Sequence, residues 1–327
     1  MIDFKLLRKV INQFSSFILT THVNPDADAI GSEIAMYYLL KRLKKKVIIL
    51  NHNSTPYYLD FLDKEKVIKK FISSDHEKLF SEYEAMISLD LSAIDRIVSL
   101  ECIVNKSKIV KICIDHHDEN CLFADYTFCD PEYSSTAEII YDFIKSENLI
   151  QMDLNIAIPI YAAIMTDTGS FVYEKTKPKT HRVAAELLEV GVIPREVYKQ
   201  IYEQVKYGRV KLLGKALSSI SFNDTKEIAW ITLKESDLIE SEIDETDIDG
   251  FVNYTMRINT VKIGILFYEM KDGFKVSYRS RGNIPVNKLA TEFGGGGHLN
   301  AAGSKIVGKK LSDCLNIIIT TAQKYLL

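Results

Sequence analysis

Short apolar runs that end in polar, chemistry-bearing side chains are the most constraining feature of this sequence. Three of these runs lead directly into His22, Asp90 and Asp115. Helical patterns separate the runs, and continuous apolar strands that alternate with helices are typical of a parallel sheet covered on both faces. We therefore expect a doubly wound, mainly parallel α/β sheet. Ligands bind beyond the carboxyl ends of such strands, so a site is expected where these three side chains lie.

The pattern changes after about residue 220. Ile228 to Leu233 and Thr260 to Met270 are strand-like, and Asp272-Gly273 is typical of a tight hairpin. These features predict a smaller α+β domain with a mixed sheet. Together they predict a catalytic domain over 1–195, a helical linker over 196–220 and a second domain over 221–327.

The charge balance limits the class of partner. The 327 residues include 41 basic and 44 acidic side chains, which gives a net charge of −3. Such a chain lacks the broad cationic field that holds long nucleic acid non-specifically. An anionic substrate must therefore be gripped locally, by metal ions or by a few arginines.

The cysteines and the apolar segments bear on the compartment. The five cysteines form no CxxC pair, so neither a zinc cluster nor a disulfide framework is expected. The first twenty residues lack the features of a signal peptide, and no segment has 18 consecutive apolar residues. A cytoplasmic protein without membrane contact is expected. Homodimers are the most common assemblies of soluble proteins, so a homodimer is the default expectation for this chain.

The loop after the first apolar run is dense in metal-binding groups. It contains His22, Asp26 and Asp28 within seven residues. Carboxylates that lie so close repel one another, and bound cations relieve that repulsion. Oxygen and imidazole ligands without thiolates favour Mn²⁺ or Mg²⁺ over structural zinc. Taken alone, Asp28 could equally cap the helix that follows.

A second constellation lies near the C-terminus. Four glycines, Gly294 to Gly297, precede His298, and glycine backbone amides can approach an anion closely. Arg279 and Arg281 project from one strand face shortly before this run. The guanidinium group of arginine can donate two hydrogen bonds to phosphate oxygens, although either arginine could instead form a surface salt bridge.

Four motifs stand in order along the chain. They are His22-Val23-Asn24-Pro25-Asp26-Ala27-Asp28, Asp115-His116-His117, Thr166-Asp167-Thr168-Gly169-Ser170-Phe171 and Gly294-Gly295-Gly296-Gly297-His298. These motifs resemble those of the DHH phosphoesterase superfamily, with a DHH-associated C-terminal domain. The likeness is greatest to its bifunctional oligoribonuclease and pAp (3′-phosphoadenosine 5′-phosphate) phosphatase branch, and it covers nearly the whole chain. Ala27 stands where the family often has glycine.

The resemblance implies a role for each matching residue. His22 and Asp26 would bind one divalent ion, and Asp90 would bridge it to a second. The second ion would take Asp28, His116 and Asp167 as its ligands. His117 would contact the scissile phosphate or the leaving group, and Asp115 would orient the imidazoles. Substrate-binding residues implied in the same way are Arg279, Arg281, Gly295, Gly296, Gly297 and His298.

The expected function is hydrolysis of short oligoribonucleotides (nanoRNA), of pAp, or of both. Two divalent ions would activate a water for attack on phosphorus, and Mn²⁺ is expected in preference to Mg²⁺. A cyclic or linear dinucleotide such as c-di-AMP or pApA is the alternative substrate. A non-catalytic nucleotide sensor is the rival from another class, but every candidate ligand position is filled.

Overall fold

The computed structural model describes residues 2–117 and 121–326. The chain divides into two compact units, Met1–Gln204 and Val205–Leu327. Each unit has its own buried hydrophobic clusters. Among the described residues, none of the helices combines the length and the apolar character that a membrane crossing requires.

The first unit is built on a six-stranded parallel sheet with the order β3-β2-β1-β4-β5-β6. Its strands are β1 (Ser16–Thr20), β2 (Lys46–Asn51), β3 (Ile68–Lys70), β4 (Ala85–Leu89), β5 (Val110–Asp115) and β6 (Tyr126–Cys129). Phe17 and Leu19 of β1 join one hydrophobic cluster, whereas Ile18 joins another. The strand is thus buried on both faces, which explains its continuous apolar sequence. The predicted α/β fold is confirmed.

Helices cover both faces of this sheet. The helices are α1 (Phe4–Gln13), α2 (Ala27–Arg42), α3 (Ser73–His76), α4 (Leu79–Glu82), α5 (Glu101–Lys106), α6 (Thr136–Ser146), α7 (Leu154–Asp167), α8 (Pro178–Val190) and α9 (Pro194–Tyr202). Short 3₁₀ turns occur at Tyr57–Leu59 and Ile94–Leu100. The strand order reverses between β1 and β4, so the crevice between their carboxyl ends is a topological switch point.

The helices α2 and α7 pack against each other at a glycine. A β-carbon on Gly31 would lie only 2.6 Å from the carbonyl oxygen of Pro159. Any larger side chain would therefore push the two helices apart. Asp28 lies near the start of α2 and Asp167 is the last residue of α7, so this packing sets the distance between two predicted metal ligands.

The second unit contains a mixed sheet with the order β11-β12-β10-β9-β8-β7. Its elements are α10 (Tyr207–Ser218), β7 (Ser221–Phe222), β8 (Ile228–Leu233), α11 (Glu235–Glu240), β9 (Ile263–Met270), β10 (Gly273–Ser280), α12 (Val286–Glu292), β11 (Gly296–His298), β12 (Ala301–Val307) and α13 (Leu311–Gln323). Short 3₁₀ turns occur at Glu245–Ile248, Phe251–Arg257 and Lys324–Leu326. Among the described strands of this sheet, only β8 and β9 pair in parallel. The hairpin of β9 and β10 turns at Lys271 and Asp272, one residue before the expected Asp272-Gly273, because Gly273 already pairs with Met270.

The helical stretch after residue 196 is broken. The helix α9 ends at Tyr202 and α10 begins at Tyr207. The boundary between the two compact units falls within this break, at Gln204 and Val205. One helix therefore belongs to each unit, where the sequence pattern had suggested a continuous helical segment.

Candidate metal centre

The carboxyl ends of β1, β4 and β5 bring the predicted site residues of the first unit together. His22 follows β1, Asp90 follows β4, and Asp115 ends β5. Asp90 adopts the left-handed backbone conformation, with φ of 57°. Its amide donates to the carbonyl of Ile114 at 3.1 Å, which ties the residue to the end of β5. An aspartate held in this sparsely populated region by its neighbours is typical of a functional site.

One group of potential ligand atoms comes from His22, Asp26 and Asp90. One ligand atom from each of these residues lies within 4.8 Å of the other two. The Nε2 atom of His22 is 3.4 Å from Oδ2 of Asp90. The Nδ1 atom of His22 is 2.9 Å from the carbonyl of Val23, so Nδ1 carries the proton and Nε2 is left to face Asp90.

A second group consists of Asp28, His116 and Asp167, and it meets the same distance limit. The Nε2 atom of His116 lies 3.3 Å from Oδ2 of Asp167 and 3.7 Å from Oδ2 of Asp28. The same nitrogen is 3.5 Å from Oδ1 of Asp90. Asp90 thus contacts a histidine of each group, one with each of its oxygens. A third group that meets the limit joins Asp90 to His116 and His117.

Asp26 and Asp28 also hold helix N-termini. Asp26 is the N-cap of α2, and its Oδ1 accepts from the amides of Asp28 and Ala29. Asp28, which could have been that cap, instead accepts from the first amides of α6. Its Oδ2 is 2.7 Å from the Thr136 amide and its Oδ1 is 3.0 Å from the Ala137 amide. Both carboxylates are therefore held in place by backbone amides.

Asp115 holds His116 and His117 in place through hydrogen bonds. Its Oδ1 accepts from the amides of His116 and His117, at 2.7 and 3.2 Å. Its Oδ2 is buried and has no hydrogen-bond partner among the described residues. Asp115 itself is completely buried, whereas the side chain of His117 is 42% exposed. His117 is thus fixed at one end and open to solvent at the other.

The electrostatics of the cluster favour added positive charge. Burial, together with the charges of Asp90 and Asp167, raises the pKa of Asp28 well above its usual value. Burial likewise raises the pKa of Asp167 to about 6. Burial opposes charge on His116, but the hydrogen bond to Asp90 and the surrounding carboxylates outweigh it and raise its pKa to about 10. In Asp90 the bonds from His116 and His22 outweigh burial and lower the pKa. The cluster must gain protons or cations to be stable, and oxygen and imidazole donors suit divalent cations.

Sequence reasoning missed several residues that line this centre. The Oγ1 of Thr136 donates to Oδ1 of Asp90 at 3.2 Å, and Oγ of Ser32 donates to Oδ1 of Asp28 at 3.2 Å. Tyr133 offers its carbonyl to Nδ1 of His116 at 3.4 Å. A local signal did exist for the α6 residues, because Ser135 and Glu138 stand at capping-box spacing. That signal predicts a helix start, but nothing in it indicates which carboxylates lie beside it.

Arg279 of β10 and Arg281, which follows that strand, differ in their surroundings. Arg279 lines a cavity of about 330 Å³ in the second unit together with Asp249, Tyr268 and Lys275. The fork of Arg281 instead donates to carbonyls near the end of the 3₁₀ turn Phe251–Arg257. Its partners are Met256, Ile258 and Asn259.

The glycine run forms the edge of a sheet. Gly296, Gly297 and His298 are the edge strand β11, which pairs with β12. A β-carbon on Gly295 would lie 2.1 Å from the carbonyl oxygen of Gly303, and one on Gly297 would lie 2.5 Å from that of Ala301. Glycine is therefore required for close strand pairing at these two positions, whereas Gly294 and Gly296 have open space around them. The exposed edge of β11 can still present backbone amides to a ligand.

The prediction that the cysteines form no disulfide framework was wrong for one pair of cysteines. Cys113 and Cys121 form a disulfide, and Cys129 lies beside it. The spacing of eight residues between Cys113 and Cys121 gives no local signal of this arrangement, and Cys129 comes near them because β6 pairs with β5.

Comparison with known proteins agrees with this architecture. Residues 16–165 match the DHH family, N-terminal domain, and residues 224–324 match the DHHA1 domain. The bifunctional oligoribonuclease and PAP phosphatase NrnA of Thermus thermophilus is 31% identical, over 94% of this chain and 89% of that protein. The chain belongs to the DHH family.

Other relatives extend over a similar share of the chain. The protein of the same name from Bacillus subtilis is 28% identical over 92% of both chains. A crystal structure of an exopolyphosphatase-related protein from Bacteroides fragilis has a TM-score of 0.88 at 30% identity and covers 98% of this chain and 96% of that one. The named relatives of this DHH protein are phosphoester hydrolases, and this chain is an enzyme of that class.

Proposed function

We propose that this DHH protein hydrolyses short oligoribonucleotides and pAp with two divalent cations, for which Mn²⁺ is favoured over Mg²⁺. One observation carries the proposal: two groups of potential ligands, each with a histidine and two carboxylates, lie beside each other, and Asp90 of the first group contacts His116 of the second. The names of the relatives support the choice of substrates.

The proposed ligands follow the two groups. His22, Asp26 and Asp90 would hold one cation. Asp28, His116 and Asp167 would hold the other, with Asp90 as the shared ligand. Two cations bound in this way would neutralise charge on the phosphate and lower the pKa of a water toward neutrality. Backbone amides already hold the carboxylates of Asp26 and Asp28, so these two would need little reorganisation when cations bind.

His117 is the proposed general acid. Asp115 accepts a hydrogen bond from Nδ1, which leaves Nε2 free for the substrate. That hydrogen bond raises the pKa of His117 and so favours the protonated imidazole. A protonated Nε2 can donate to a phosphoryl oxygen or to the leaving oxygen, which is what departure of an alkoxide requires.

In the second unit we propose Arg279 as a ligand of a distal phosphate, with the amides of Gly295 to Gly297 and the side chain of His298 as further contacts. Arg279 supports this role because its fork donates to a single carbonyl, that of Tyr278, and lines a cavity. Arg281 is not proposed, since backbone carbonyls occupy its fork. The proposed domains are 1–195 for catalysis, 196–220 as linker and 221–327 for substrate binding.

A side-by-side comparison of kcat/KM with Mn²⁺ tests the proposal. The substrates are pAp, pApA, c-di-AMP and RNA of two to five nucleotides, and the Asp90→Asn variant controls for contaminating nucleases. Highest kcat/KM with pAp and the shortest RNAs would support the assignment. Preference for c-di-AMP or pApA would make this a dinucleotide phosphodiesterase. Binding of nucleotides in calorimetry without any turnover would overturn the hydrolase proposal in favour of a sensor.

A further inference from the structure

Three cysteines from three segments meet beside the histidine pair. Cys113 lies on β5, Cys121 follows in the next connection, and Cys129 ends β6. The sulfurs of Cys113 and Cys121 are bonded to each other. The Sγ atom of Cys129 lies 3.2 Å from that of Cys121 and 3.7 Å from that of Cys113. A third thiol at this distance is close enough to take part in thiol–disulfide exchange.

This thiol centre is tied to the catalytic strands. The sulfurs of Cys113 and Cys121 lie 3.3 and 3.8 Å from the carbonyl of Leu91, the residue after Asp90. The disulfide closes a covalent ring from 113 to 121, and that ring contains Asp115, His116 and His117. Oxidation or reduction of the sulfurs therefore changes the constraint on the segment that carries the proposed acid and one proposed metal ligand.

We propose that Cys113, Cys121 and Cys129 form a reversible thiol-oxidation site whose oxidant is a low-molecular-weight disulfide. Cys129 is the entry point, because it is partly exposed whereas Cys113 and Cys121 are buried. The Cys113–Cys121 disulfide is the oxidised product. None of the three sulfurs belongs to the proposed set of metal ligands, and the site does not rest on the proposed substrates.

The exchange balances in three steps. The Cys129 thiolate attacks one sulfur of the small disulfide, which releases one small thiolate and leaves a mixed disulfide. The Cys121 thiolate then attacks the sulfur of Cys129 and releases the second small thiolate. Finally, Cys113 attacks Cys121 and frees Cys129. Two protein thiols are oxidised, one small disulfide is reduced to two thiols, and the two protons pass to those thiols.

The surroundings of Cys129 make this exchange slow. Burial, together with the nearby charge of Asp115, raises the pKa of the Cys129 thiol to about 12. Only the thiolate is nucleophilic, so little of the reactive form exists near neutral pH. Equilibration in a redox buffer should therefore be followed over hours.

The first experiment maps the disulfide directly. The full-length protein is equilibrated in buffers with different ratios of reduced to oxidised glutathione, alkylated, digested and examined by mass spectrometry. We expect a Cys113–Cys121 linkage that appears under oxidising ratios and disappears on return to reducing ones. Cys129→Ser should slow its formation by about tenfold and leave the final linkage unchanged, because only the entry thiol is lost. Cys314→Ser, in the second unit, is the matched control and should behave as wild type.

The second experiment measures activity toward a generic aryl phosphodiester before and after oxidation. We expect kcat of the oxidised wild type to differ from that of the reduced protein by about threefold or more, reversibly. Cys121→Ser cannot form the ring and should show no such change. A disulfide that forms reversibly without altering kcat would overturn the coupling to the histidine pair.

Two further outcomes would overturn the redox site itself. One is full alkylation of all three thiols at every glutathione ratio. The other is a zinc or cadmium ion bound once per chain by the reduced protein, with a thiolate charge-transfer band that Cys129→Ser abolishes. That result would make the three sulfurs a soft-metal site. Loss of phosphodiesterase activity alone would bear on the proposed function and would leave the mass-spectrometric result unaffected.

Discussion

The Nδ1 atom of His117 lies 2.7 Å from Oδ1 of Asp115, and since a carboxylate can only accept, the imidazole donates. The contact fixes which nitrogen of His117 faces the substrate. The same oxygen of Asp115 accepts from the backbone amides of His116 and His117, so its contribution is to position the two histidines.

Replacing Asp115 with asparagine should lower kcat by about 10- to 100-fold with little change in KM, as is usual when an orienting partner of a catalytic imidazole is lost. The hydrogen bond that His117 donates to Asp115 raises the pKa of His117, so its loss should move the NMR titration midpoint of His117 to lower pH. In a His117→Ala background the same substitution should have almost no further effect on kcat. Equal losses in both backgrounds would contradict a role through His117.

Asp90→Asn should reduce kcat by at least about 1,000-fold, because a shared ligand supports both proposed cations and their loss removes several kcal/mol of transition-state stabilisation. Steady-state kinetics with Mn²⁺, together with metal counting by mass spectrometry, checks this expectation. Asp95→Asn is the matched control, since Asp95 is an exposed residue of the same connection. An active variant that still binds two metal ions would refute the bridging role.

Alanine substitutions of Arg279 and of Arg281 should have different effects. Arg279→Ala should raise KM for substrates with a second phosphate by about tenfold or more and leave an aryl phosphodiester unaffected, because a charge-assisted contact is worth about 1.5–3 kcal/mol. Arg281→Ala should leave KM unchanged and lower stability by about 1 kcal/mol, through loss of the bonds to Met256 and Ile258. Kinetics and urea unfolding distinguish the two. A KM effect confined to Arg281→Ala would reverse the assignment.

Gly31→Ala should destabilise the protein by about 1–3 kcal/mol, because the new methyl group would press on the carbonyl of Pro159 and separate α2 from α7. The shift should also weaken metal binding, since those helices carry Asp28 and Asp167. Gly214→Ala in α10 has open space around it and should stabilise by about 0.5–1 kcal/mol. Thermal unfolding and Mn²⁺ titration of both variants check the contrast. If Gly31→Ala kept wild-type stability and affinity, the close packing would not be what positions these ligands.

Glu33 predicts a pH dependence of stability. Its carboxyl is completely buried, with Oε2 bonded to Asn51 and Oε1 without a partner among the described residues. Burial raises its pKa well above the usual value. The native state therefore keeps a proton that the unfolded chain releases above about pH 4.3, so the free energy of unfolding falls as pH rises.

The slope from Glu33 should be at most about 1.4 kcal/mol per pH unit. It should begin near the unfolded pKa and end at the folded pKa. Glu33→Gln should lack this fall, which urea unfolding from pH 4.5 to 8 would reveal. Parallel curves for wild type and variant would show that Glu33 is ionised in the folded protein.

Local patterns predicted the strand ends well but not what lies beside them. The apolar runs before His22 and Asp90 give both the parallel sheet and the edge where the ligands gather, because strand burial and strand direction follow from the local sequence. The disulfide partner of Cys113 lies in the connection after β5, and no local pattern specifies how that connection folds back. The glycine run was predicted to be an anion-binding loop, and the structure adds a second reason for glycine at Gly295 and Gly297, the close approach of the neighbouring strand.

Asp28 has a consequence for how this protein could lose its activity. Its two oxygens anchor the first amides of α6, which begins 108 residues further along the chain. A substitution that removed this carboxylate would free a buried helix terminus at the same moment as it removed a proposed ligand. A descendant that kept the fold but gave up hydrolysis would more easily have lost Asp167, which accepts no backbone amide among the described residues. The hydrogen bonds of the fold therefore partly determine the order in which the proposed metal ligands can be lost by mutation.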